Sequence, residues 1–96
     1  TLNNIGAVYQ VTGNPAKALA YYERALPVFE EVGDRFGESI TRWHIATHYW
    51  RDGNLSEAMH EFQRVYDLSI AVQSPYLERI EREMKQVEAE LAAQGE

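Results

Sequence analysis

The chain has no cysteine, which excludes a disulfide framework and a thiolate metal site, the usual staples of small secreted domains. Its stability must come from packing. It also lacks any apolar run near the roughly 18 to 20 residues of a membrane span. The opening Thr1-Leu2-Asn3-Asn4 has neither the charged nor the apolar region of a signal peptide. No membrane partner and a cytoplasmic location are the expectations. Positive charge is scarce: nine Lys and Arg stand against fifteen Asp and Glu, a net charge of -6, and that balance repels phosphate backbones, so no nucleic-acid partner is expected. Catalytic spacings are missing too. There is no G-x-x-x-x-G-K, no G-x-S-x-G, no H-E-x-x-H and no strand to carry a dinucleotide turn. The carboxylates of Glu30 and Glu31 are adjacent and point apart on a helix. The chain therefore reads as no enzyme, with no cofactor. It begins at Thr1 without an initiator methionine, which suggests a piece of something longer.

What the sequence does have is ordinary globular composition, 45% apolar and 25% charged over 96 residues. That supports a single small core burying roughly 60 to 65% of the unfolded surface. Shifting the sequence against itself by 40 residues aligns Thr1 with Thr41, Ile5 with Ile45, Tyr9 with Tyr49, Gly13 with Gly53, Asn14 with Asn54 and Ala18 with Ala58. Further along, Arg24 meets Arg64, Val32 meets Val72, Glu38 meets Glu78 and Ile40 meets Ile80. Tyr22 with Phe62 and Leu19 with Met59 are conservative matches. A repeat of this length is structural.

Within each unit apolar residues recur at helical spacing: Leu2, Ile5 and Tyr9, then Ala18, Leu19, Tyr22, Ala25, Leu26, Phe29 and Val32. Each repeat is a helix pair. Gly13-Asn14-Pro15 supplies a helix-ending glycine, an N-cap and a first-turn proline, and Gly53-Asn54 repeats it. Asn54 followed by Glu57 predicts a capping box. Ser74-Pro75 opens a last helix by the same logic. The spacing predicts five helices, near 2 to 12, 15 to 32, 36 to 51, 55 to 72 and 75 to 93, with a bend at Pro27. Two helix-turn-helix units, 1–34 and 35–74, are followed by a capping helix over 75–96.

The pattern Leu2-x2-Ile5-Gly6-x2-Tyr9…Ala18-x3-Tyr22, repeated as Arg42-x2-Ile45-Ala46-x2-Tyr49…Ala58-x3-Phe62, resembles the tetratricopeptide repeat. The fold this implies is all-α, a tetratricopeptide-type helical repeat wound into an α-α superhelix. Three departures stand out. The period is 40 rather than 34, the closing proline is absent from both copies, and Arg42 replaces a large apolar residue. The long period is similar to the extended variant of the family, whose second helix runs into a turn like Val32-Gly33-Asp34-Arg35.

The resemblance implies a concave wall lined by the first helix of each unit. On that wall it puts Asn3, Asn4, Ala7, Gln10 and Val11 from one helix and Trp43, His44, Thr47, Trp50 and Arg51 from the other. In the resembled family the asparagine at Asn4 holds the ligand main chain. Carboxamides beside indoles suit an extended peptide, since amides bond its backbone and an indole adds apolar contact at low entropic cost. Trp43 and Trp50, seven apart, point the same way and could instead pack on the last helix. Only Arg51, with Arg42 as a second candidate, offers the inner-wall cation that a clamp for a terminal carboxylate needs, which disfavours that mode. His44 and His48 at i, i+4 are two ligands where zinc wants three or four, so no metal is expected. The last helix carries Leu77, Ile80, Met84, Val87 and Leu91 in a heptad stripe among charges. That stripe fits a solubilising cap, with pairing to another chain as the sharper alternative. The sequence thus reads as a non-catalytic interaction module for a protein or peptide ligand, with homotypic assembly through the last helix or an uncapped repeat edge as the alternative.

Overall fold

The computed structural model describes residues 13–95. The expected first helix, near 2 to 12, lies outside them, as do Asn3, Asn4, Ala7 and Gln10. Among the described residues there are four helices and no strand: α1 Pro15–Val32, α2 Arg35–Arg51, α3 Leu55–Ala71 and α4 Leu77–Gln94. The chain is all-α, as its periodicity requires. Each helix packs on the next in sequence order, the arrangement that short turns between helices enforce.

The three turns are built alike. The Gly33 and Asp34 N–H groups donate to the carbonyls of Glu30 and Phe29, those of Gly53 and Asn54 to Trp50 and Tyr49, and those of Gln73 and Ser74 to Ile70 and Ser69. This is the Schellman closure, which needs one residue in the left-handed region. Gly33 (φ 73°) and Gly53 (φ 79°) supply it without a Cβ clash, whereas Gln73 takes φ 53° with a side chain. Turn geometry therefore recurs every 20 residues even where glycine is missing.

The helix starts differ from the sequence reading. Neither Asn14 nor Asn54 makes a side-chain cap bond, so the expected capping box at Asn54 and Glu57 does not form. Both asparagines are exposed, and water can satisfy free N–H groups at such a helix end. Asp34 does cap, accepting from the Gly37 N–H at 2.8 Å with the stronger acceptor a carboxylate provides. α4 begins at Leu77 rather than at Pro75. Ser74 instead closes the preceding turn through its N–H, donated to the Ser69 carbonyl at 2.9 Å, and its hydroxyl accepts from the Tyr76 N–H at 3.1 Å. α1 runs through Pro27 unbroken.

The main core gathers Ala46 from α2, Leu55, Ala58, Phe62 and Val65 from α3, and Ile80, Met84 and Val87 from α4. A smaller cluster joins Ala18 and Tyr22 of α1 to Ile45 of α2. Ala18 and Ala58, and likewise Tyr22 and Phe62, are buried at repeat-equivalent places. Small residues let the helices approach and one ring per unit fills the space between them, each ring contributing about 1.5 to 3 kcal/mol by burial. The central residues of the α4 stripe, Ile80, Met84 and Val87, are buried against the second helix pair of the same chain. α4 thus packs its apolar stripe on the second helix pair, with Glu78, Arg82, Lys85 and Glu88 exposed.

Candidate functional site

α2 is the helix on which most of the described sequence candidates fall. Its wheel divides into two faces: Arg42, Ile45 and Ala46 are buried, while Trp43, His44, Thr47 and Trp50 are partly covered and Arg51 is exposed.

Arg42 is the residue the sequence misplaces. It is buried to 7% exposure and is not available on a ligand-facing wall. Its guanidinium donates to Glu38 (2.9 Å) on its own helix, Glu61 (3.1 Å) on α3 and Glu30 (3.2 Å) on α1. Burial acts to lower its pKa, but the hydrogen bonds and charges of Glu38 and Glu61 outweigh it and hold the pKa above the usual arginine value. Arginine can serve three helices because its planar fork presents several donors in fixed directions. A large apolar residue at this position would fill the same space without binding the helices by charge.

Trp43 and Trp50 face the last helix. The Trp43 indole N–H donates to Glu83 at 2.8 Å and that of Trp50 to Glu90 at 2.5 Å. Each pair is 40 residues apart, so the ladder joins repeat-equivalent positions. Their rings also pack on the main core, Trp50 edge-on to Phe62 at 5.8 Å. The Arg79 guanidinium lies over the Trp43 ring, 4.9 Å from its centroid, within cation–π range. Both rings remain partly exposed. The indoles are thus held at their polar ends by α4. Neither Glu83 nor Glu90 was singled out as a partner by sequence reasoning, although the 40-residue period puts them opposite the tryptophans.

His44 stacks on Tyr22 of α1, with centroids 4.6 Å apart and rings 4° from parallel. Burial lowers its pKa, and the nearby Arg51 charge lowers it further, so the ring is neutral at pH 7. His48 instead lies 3.3 Å from Asp52. Thr47 returns its hydroxyl to the Trp43 carbonyl at 2.8 Å. Among the described residues no three His, Cys, Asp or Glu side chains are grouped to hold a metal ion. None of their helices is long and apolar enough to cross a membrane.

Beside Trp43 and His44 a cavity of about 200 Å³ lies between α2, α3 and the start of α4. Its lining includes Ile40, Trp43, His44, Val65, Ser69, Tyr76, Arg79 and Ile80. None of the residues lining it is acidic, in a chain with fifteen carboxylates.

The stacked helix pairs, the small residues at the close approaches and the repeated turn define a helical-repeat protein. The family model of the tetratricopeptide repeat matches residues 1–71. The chain belongs to that family, whose repeats are typically non-catalytic modules for binding other proteins. No curated protein and no solved structure matched the chain.

Proposed function

We propose that this chain binds a peptide or a partner helix along a concave face formed by its first-type helices. On this reading Asn3, Asn4, Ala7 and Gln10 contribute from the first of them and Trp43, His44, Thr47, Trp50 and Arg51 from α2, in a cytoplasmic setting. The observation that carries the reading is the pair of indoles on α2. Their N–H groups are held by Glu83 and Glu90 while both residues stay partly exposed. Side chains ordered before binding lose less entropy on binding, and tryptophan is prominent among residues that dominate interfaces. With a net charge of -6, the surface favours basic or apolar ligands.

A peptide-array screen of the wild type beside a Trp43→Ala, Trp50→Ala double variant tests this. Peptides captured by the wild type should lose most of their signal with the variant, by tenfold or more, under conditions where the variant is folded. Peptides captured equally by both proteins would return the tryptophans to a purely structural role.

A further inference from the structure

We propose that the cavity between α2, α3 and the start of α4 receives a tyrosine side chain of the partner. The proposal rests on the concave-face reading above and names the anchor it would take.

The first observation is an unmet hydrogen bond. The serine and threonine hydroxyls of α2 bond back to the preceding turn: Ser39 to the Phe36 carbonyl at 2.7 Å, Thr41 to Gly37 at 2.8 Å and Thr47 to Trp43 at 2.8 Å. Ser69, 1% exposed, has no partner at its hydroxyl, and it lines this cavity. A buried polar group left without a partner is disfavoured, so a ligand atom that hydrogen-bonds Ser69 gains more than one that does not.

The second observation comes from the repeat itself. Ser69 stands where the 40-residue period puts Phe29, and in the first unit that phenylalanine lies so close to α2 that a Cβ on Gly37 would meet its ring at 2.6 Å. A phenyl ring belongs at this register in one unit, and a hydroxyl beside a cavity replaces it in the next. Size agrees with a single ring. An apolar cavity of roughly 150 Å³ holds one benzene, and drug-sized pockets begin at roughly 300 Å³; this one is about 200 Å³. Trp43, His44 and Tyr76 offer aromatic walls, Ile40 and Val65 aliphatic ones. A ring with a hydroxyl matches both the walls and Ser69, and among side chains that is tyrosine.

Titration of the 96-residue chain with p-cresol and with toluene, followed by NMR at the Trp43 indole and Ser69 amide signals, tests the pocket. In the wild type p-cresol should bind at least fivefold more tightly than toluene. S69A should narrow that preference to within twofold, and it should remain folded because the lost hydroxyl has no partner. S69F, which restores the ring of the first unit, should abolish binding of both probes. Equal binding of p-cresol and toluene by the wild type overturns the proposal, as does p-cresol binding that survives S69F. Lysine-flanked Gly-Ser peptides centred on tyrosine or phenylalanine then test the source: a tyrosine preference that S69A removes supports it, and p-cresol binding without that preference overturns it. Array peptides that depend on Trp50 but are indifferent to both Ser69 variants would sink the pocket and leave the concave face standing. Tyrosine peptides that depend on Ser69 but not on Trp50 would support the pocket and sink the wider face.

Discussion

The two faces of α2 reverse the usual order of burial. One face hides an arginine at 7% exposure, held by carboxylates from three helices. The other leaves two tryptophans partly open, each bonded through one N–H to the last helix. Hydropathy alone would assign these residues the other way round. The difference teaches that burial here follows the supply of partners. Removing a charge from water is tolerated where several acceptors converge on it, and an indole can stay near the surface where its polar edge has a carboxylate and its ring a core to rest on.

Substitutions can break or sharpen that contrast. The largest effect is expected for Arg42→Ala, which leaves Glu38 and Glu61 partly buried without their cation and should cost about 3 kcal/mol in urea unfolding, near the lower end for breaking a buried ion pair. If Arg42→Ala unfolds at the wild-type urea midpoint, the arginine face is not what binds α1, α2 and α3 together. Beside that face, Trp50→Phe keeps most of the ring packing and removes the bond to Glu90. It should cost about 1 kcal/mol, measurable by the same titration, and Glu90→Gln should cost no more. A loss comparable to that at Arg42 would erase the distinction between the faces.

The smallest effect concerns pH and His44, which stacks on Tyr22 of α1. Its folded pKa is lowered by burial and by Arg51, so below the unfolded value of about 6.5 the unfolded chain binds the extra proton. The stability this neutral ring contributes is present above that pH and is lost as pH falls from about 6.5 toward the folded pKa. Thermal unfolding of His44→Phe should therefore lose less stability than wild type between pH 7 and pH 5.5. Identical slopes for the two proteins would mean that the ring is not held neutral against Tyr22.

Much of the fold was legible because it depends on near neighbours in the chain. The apolar positions of α1 and α3, the alignment of Tyr22 with Phe62 and the left-handed glycines at 33 and 53 are read from spacing and steric freedom. Less of the candidate site was legible. That Trp43 and Trp50 share a side followed from their separation of seven, but what they touch depended on how α4 lies across α2. Arg42 was misjudged because Glu30 and Glu61 lie 12 and 19 residues from it, distances at which helical spacing predicts nothing. Ser69 drew no notice, since a serine in a helix ordinarily bonds its own backbone. The capping box failed because a matching pair of residue types permits that hydrogen bond without requiring it.

By itself the sequence determined where helices run and that they come in pairs, because periodicity and turn chemistry act over a few residues. Only the tertiary structure decided which side chains are enclosed and which are left with unmet bonds. The guanidinium gains its carboxylates, the indoles their anchors and the Ser69 hydroxyl its isolation only once α1, α2, α3 and α4 are packed, since hydrogen bonds act over about 3 Å and chain separation does not fix such distances.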